Sequence, residues 1–229
     1  MPGTRWLTFD CYGTIADWNT CMLGALQPIA GAADAVPLLS AYHQAEAILE
    51  AGTAWRPYRD VLRDGLRLAA RRVGVQVTDA QAGAFAEAWP AMPVFPDVAE
   101  ALGALASSGW RLAILTNCDD DLFSATVPAL PVPFEVVVTA EQVRSYKPDL
   151  GHFRRFAELT GATPDNWIHV ANGWVHDILP AARMGLRSVW VDRDRTGHPA
   201  KFAERRVSTM RRLVETVTDV SALPAWPVS

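Results

Sequence analysis

The 229-residue chain has no apolar run approaching the ~20 residues needed to cross a bilayer, which excludes a membrane-spanning helix. It has no block of like charge. The formal net charge is −4, and the densest basic stretch, RRVSTMRRL, reads as a helix whose periodicity spreads its arginines around a surface. Without a concentrated basic footprint, nucleic acid is not an expected partner. Cysteine is scarce: Cys11, Cys21 and Cys118 are odd in number and lack metal-ligand spacing, as in a reducing cytoplasm. A strand begins within about five residues of the start, which leaves no room for a signal peptide. The expectation is a soluble, cytoplasmic protein. Internal repeats and low-complexity segments are absent as well.

What is present is apolar sequence, at 50% of the chain, enough for a substantial core. The length suits one α/β domain with an insertion, or two small domains. Trp6–Asp10 reads as a short, fully buried strand. From Trp18 to about Trp89, apolar residues recur at helical spacing, with breaks near Gly31, Gly52-Thr53 and Gly74. This predicts four helices and no strand. PAMPVFPDV, with three prolines, reads as a linker leaving that segment. Beyond it, the strand candidates RLAILT, FEVVVT, WIHVA and SVWVD alternate with helical stretches. That pattern implies a parallel sheet covered on both faces. The C-terminal SALPAWPVS reads as a loose tail or an edge-packing segment.

Polar residues gather where these strands stop: Asp10, Thr116-Asn117 and Asn172, with Lys147 and Asp177 just past two strand ends. In an open parallel sheet the ligand crevice lies at the carboxyl ends of the strands. A carboxylate there can displace a leaving group and form an ester that water then cleaves. A neighbouring lysine keeps it ionised, and hydroxyl and amide donors hold the substrate in near-attack geometry. Taken singly, Asp10 could be a turn acid, Lys147 a surface lysine, and Asp177 a helix-start acid favoured by the dipole. His176 reads as a helix-start surface or packing residue. The nine tryptophans are mostly core candidates, but Trp18 and Trp174 follow motif residues closely enough to line a site.

FDCYGT, LTN, SYKPD and VANGWVHDILPAARMGL, in this order, resemble the haloacid dehalogenase (HAD) superfamily, across about residues 5–195. The resemblance implies a Rossmann-like α/β core from residues 1–15 and 93–229 and an inserted all-helical cap domain from 16–92. It implies that Asp10 is the nucleophile, Thr14 the hydroxyl of the first turn, Lys147 the lysine of the third motif and Asp177 the second acid of the fourth. Thr116 and Asn117 match substrate-holding donors. Tyr12 matches the aromatic on the leaving-group side and places the chain in the 2-haloacid dehalogenase branch.

Tyr12 also carries a chemical argument. Phosphatases of the superfamily have an aspartate at this position to protonate a leaving alkoxide. A tyrosine, with an ordinary pKa near ~10, is a feeble acid at neutral pH. A halide leaves as a stable anion and needs no proton. Phosphatases also place an acid where Asn172 stands, so a Mg²⁺ site built from Asp10, Asn172 and Asp177 would be weak or residual. The expected activity is metal-independent, cofactor-free hydrolysis of a small (halo)carboxylate through an aspartyl ester. The alternatives are a Mg²⁺-dependent small-molecule phosphatase and a catalytically silent ligand-binding relative. Three positions depart from the branch: His43 stands where a cap arginine grips the substrate carboxylate, Phe153 replaces a tyrosine, and Trp174 replaces an asparagine. His43, Asn172 and Trp174 are therefore expected to contribute to substrate binding, with Arg56 or Arg59 as substitutes for the missing arginine. Relatives are often dimers, which leaves a homodimer open.

Overall fold

The computed structural model describes residues 4–89 and 92–223. Six parallel strands form one sheet in the order β3-β2-β1-β4-β5-β6. They are β1 (Trp6–Phe9), β2 (Arg111–Thr116), β3 (Val136–Thr139), β4 (Trp167–Ala171), β5 (Arg187–Val191) and β6 (Arg205–Val207). β1 pairs with β2 on one side and β4 on the other, so the strand order reverses at β1. Its four residues are all buried, as expected of a strand covered on both faces. Leu7 and Phe9 enter one core, and Trp6 enters the other. This is the two-residue alternation of a pleated strand.

Four helices follow β1: α1 (Trp18–Ala30), α2 (Ala32–Glu50), α3 (Tyr58–Val73) and α4 (Asp79–Glu87). They pack in sequence, α1 on α2, α2 on α3 and α3 on α4. Local chemistry sets their ends. The Asp17 side chain accepts from the Thr20 amide at the start of α1, and Thr78 and Gln81 form a reciprocal capping box at α4. Gly31 and Gly74, both at positive φ, close α1 and α3. The chain leaving β1 and the chain returning run side by side: Asp17 N–H donates to Pro93 O, and Phe95 N–H to Ile15 O, both at 2.9 Å.

The remaining helices are α5 (Val98–Ser107), α6 (Asp120–Thr126), α7 (Ala140–Val143), α8 (Gly151–Thr160), α9 (Leu179–Arg183) and α10 (Leu213–Ser221). A π-helical turn, Trp174–Ile178, precedes α9. The RRVSTMRRL stretch departs from the helix expected of it: Arg205–Val207 is the edge strand β6, and a helix starts only at Leu213. A three-residue strand with two outward arginines has no periodicity to display. Arg206 ion-pairs with buried Asp192 beside β5, which fastens this edge. Pro90 and Ala91 of the expected linker, and most of the expected C-terminal tail, lie outside the described residues. Among the described residues no helix is long and apolar enough to cross a membrane.

Candidate active site

The turn after β1 begins the site. The amides of Thr14, Ile15 and Ala16 all donate to the carbonyl of Cys11, and Gly13 takes φ +84°, a conformation that favours glycine. This tight turn brings Thr14 back onto Asp10. Thr14 Oγ1 donates to Asp10 Oδ2 at 2.7 Å and accepts from the Asn172 amide at 2.9 Å. The hydroxyl thereby ties the end of β1 to the end of β4.

Lys147 supplies the opposing charge. Its Nζ donates to Asp10 Oδ1 (2.9 Å), Asp177 Oδ1 (2.6 Å) and Leu115 O (2.9 Å), which uses all three of its hydrogens. Asn117, just past β2, holds the lysine backbone: Oδ1 accepts from Lys147 N at 2.8 Å, and Nδ2 donates to Lys147 O at 3.1 Å. Burial lowers the Lys147 pKa, but Asp10 and Asp177 outweigh it and hold the ammonium above its ordinary value. Burial pushes the Asp10 carboxyl up against the pull of Lys147. Burial also raises Asp177, but Lys147 and His169 win there and leave it below the usual carboxylate range.

These groups open onto a cavity of about 270 Å³ between the sheet edge and helices α1–α3. Asp10, Tyr12, Asn117, Lys147, Asn172 and Asp177 line its floor, and His43 its roof, so seven of the ten sequence-expected site residues meet there. Tyr12 presents its ring, edge-on to Trp89 at 5.1 Å, while its hydroxyl pairs with Thr126 Oγ1 at 2.9 Å. Burial raises its pKa well above the ordinary value, which makes it a still weaker acid than a free tyrosine.

Three expected residues do not line the cavity. Thr14 lies behind Asp10, as described. Thr116 is fully buried, with its hydroxyl directed to Cys118 Sγ at 3.7 Å. That places it as packing, not as a substrate donor. Trp174 turns outward, stacks on His198 at 4.5 Å and donates to Pro199 O. The π-helical turn that carries Asp177 inward rotates Trp174 away from it. The arginine substitutes also fail. Arg56 pairs with Asp64, and Arg59 with Asp121 and Glu87. Neither lines the cavity.

The sequence reading missed Glu46 and Glu50 on α2, along with Asn19, Tyr58 and Asp194, and it set His176 aside. His43, Glu46 and Glu50 sit at i, i+3 and i+7, one face of a helix, and that spacing was the available signal. Tyr58 Oη donates to Glu46 Oε1 at 2.5 Å, and Asn117 Nδ2 to Glu50 Oε2 at 3.3 Å. Burial pushes the Glu46 carboxyl up to about 7 and Glu50 well above its ordinary value. Burial lowers both His43 and His176.

The donor set does not fit a divalent cation. The Lys147 ammonium stands between Asp10 and Asp177. Asn172 Oδ1 already accepts the Arg193 amide, and its Nδ2 donates to Asp194. Mg²⁺ requires several free, hard oxygen ligands. Among the described residues no other group of acids, histidines or cysteines is arranged to hold a metal.

A sheet reversing at β1, with an aspartate, a lysine and a second aspartate joined at its carboxyl edge, defines a hydrolase class. Residues 4–185 match the model of the haloacid dehalogenase-like hydrolases, and the chain belongs to that family. Among its relatives, the (S)-2-haloacid dehalogenase 4A of Burkholderia cepacia is 26% identical over 100% of this chain and 96% of the relative. The (S)-2-haloacid dehalogenase 1 of Pseudomonas sp. (strain CBS-3) is 25% identical over 90% and 92%. The solved L-2-haloacid dehalogenase of Xanthobacter autotrophicus superposes with a TM-score of 0.79 at 19% identity, over 94% of this chain and 99% of that one.

Proposed function

We propose that the protein is a hydrolase of the 2-haloacid dehalogenase type, with residues 16–92 acting as a cap over the nucleophile. The observation that carries this reading is Asp10 itself. It is a carboxylate with a donor on each oxygen, facing a cavity where an aromatic ring stands in place of a leaving-group acid. The 2-haloacid dehalogenases among its relatives, matched over nearly their whole lengths, support the same chemistry.

In the first step Asp10 attacks the halogen-bearing carbon from the face opposite the halogen. A C–O bond forms, the C–halogen bond breaks with inversion, and halide leaves unprotonated. In the second step Asp177 takes a proton from water, whose oxygen attacks the aspartyl carbonyl and not the substrate carbon. The acyl C–O bond to the substrate oxygen then breaks, and the proton on Asp177 passes to that oxygen as the hydroxy acid leaves. Asp10 returns to its carboxylate with loss of the remaining proton to solvent. Lys147 and Thr14 already touch the two Asp10 oxygens and meet the negative charge that develops there. No step requires a cofactor or metal. The three cysteines are free thiols, as suits a reducing compartment.

The substrate carboxylate meets an unusual wall. Among the described residues no arginine lines the cavity; Asn19, His43 and His176 are the nearby donors, and Glu46 and Glu50 stand beside them. In their protonated forms the two glutamic acids do not repel an anion. The test is halide release from a panel of 2-chloro-, 2-bromo- and 2-fluorocarboxylates in chelator-containing buffer. Release that survives the chelator and is saturable in substrate supports the reading. A carboxylate that binds without any halide release would instead mark a ligand-binding relative.

A further inference from the structure

Behind Asp177 lies a buried chain of polar side chains that the chemistry above leaves without a role. Thr8 of β1 and His169 of β4 are register partners across the sheet, and Trp167 lies two residues before His169 on the same face. All three are at most 1% exposed. Trp167 Nε1 lies 2.7 Å from Thr8 Oγ1, Thr8 Oγ1 lies 2.8 Å from His169 Nδ1, and His169 Nε2 lies 3.1 Å from Asp177 Oδ1.

The two fixed ends of this chain, the Trp167 indole and ionised Asp177, set the direction of its bonds around a neutral His169 ring. An indole N–H can only donate, so Thr8 Oγ1 accepts from Trp167. Ionised Asp177 can only accept, so Nε2 carries the proton. With its single ring proton on Nε2, His169 has a lone pair on Nδ1 and accepts there from the Thr8 hydroxyl. Phe153 holds the ring plane edge-to-face at 5.0 Å. Asp177 Oδ1 therefore receives two donors, His169 and Lys147, while Oδ2 lies against Gly173, which lines the cavity beside Asp177.

We infer that His169 is a positioning residue for ester hydrolysis: with Thr8 and Trp167 fixing its tautomer, it holds Asp177 Oδ1 so that Oδ2 alone faces the water. This rests on Asp177 being the base of the second step. The first step, displacement by Asp10, does not pass through His169.

The variants are His169→Phe, which keeps the ring without the donor, and His169→Gln, whose amide N–H can reach the position of Nε2. Halide burst, ester lifetime and pH profile are measured on each in single turnovers. His169→Phe is expected to leave the halide burst intact, prolong the Asp10 ester at least about tenfold, and move the acid limb of ester hydrolysis up by roughly one pH unit. His169→Gln is expected to restore the ester lifetime to within about threefold of wild type. Equal slowing of both steps by both variants, with an unmoved acid limb, would overturn the inference. ¹⁵N spectra of the wild-type imidazole decide it even where the variants do not fold: the Nε2–H tautomer is expected, and an Nδ1–H tautomer refutes it. A wild-type protein that releases no halide would refute the hydrolase reading, and the tautomer together with the Asp177 titration in His169→Gln would still decide this inference.

Discussion

Gly173 and Asp177 fit together because Gly173 has no side chain: an ideal Cβ there would lie 2.4 Å from Asp177 Oδ2. The backbone at Gly173 is ordinary, with φ −68°. Alanine would therefore introduce no conformational strain, and its effect must act through the contact. Gly173→Ala is expected to push Asp177 off its position and lower kcat by about 10- to 100-fold, with about 1–2 kcal/mol lost in stability. Steady-state kinetics and a melting curve measure both. Unchanged kcat would mean that the Oδ2 face is not the working one.

Asp10→Asn should abolish turnover, by on the order of 10⁴-fold or more, because it removes the nucleophile and almost no volume. In the variant the Lys147 ammonium keeps its ion pair with Asp177. The melting temperature should accordingly change by only a few degrees. A variant that retained most of its activity would rule out covalent catalysis by Asp10.

The route of water can be followed isotopically. In one turnover in ¹⁸O water the label should enter Asp10, because water attacks the aspartyl carbonyl. Mass analysis of the peptide containing Asp10 reads it. Label in the first product and none in the peptide would mean that water attacks the substrate and Asp10 serves as a base.

Glu46 gives the protein a pH dependence with a defined sign. Its folded-state pKa is raised to about 7, chiefly by burial, from an ordinary 4.5. Between these values the folded state binds more protons than the unfolded state, so stability falls as pH rises through that window. The loss is about 3 kcal/mol at most. Glu46→Gln keeps an acceptor for the Tyr58 hydroxyl and removes the titration. Chemical denaturation should find the variant more stable than wild type at pH 8 and indistinguishable from it at pH 5. The same titration should make turnover of an anionic substrate rise as pH falls toward 7, until the acid limb set by Asp10 is reached.

Much of the fold was legible because its signals are local. The buried strands RLAILT and WIHVA are runs whose burial on both faces leaves no ambiguity of side. The four-helix segment announces its breaks through Gly31 and Gly74, both at positive φ. The edge strand β6 was not legible: its three residues are held by Arg206 reaching Asp192, fourteen residues away.

The same division runs through the candidate site. The sequence by itself placed Asp10, Lys147 and Asp177 at one sheet edge, because parallel strands deliver their carboxyl ends to a common line. It also showed that a tyrosine, a feeble acid at neutral pH, stands where phosphatases of the superfamily place an aspartate, since that follows from residue type alone. Only the tertiary structure decided which neighbours face the cavity. Asp177 points inward and Trp174 outward from the same π-helical turn, and Thr116 turns its hydroxyl to Cys118 while Asn117 beside it grips Lys147. Glu46 and Glu50 come over Asp10 from a helix more than thirty positions away. The side a residue presents depends on how its element is rotated against its neighbours, and that rotation is fixed by packing across the whole core, not by the residues adjacent in the chain.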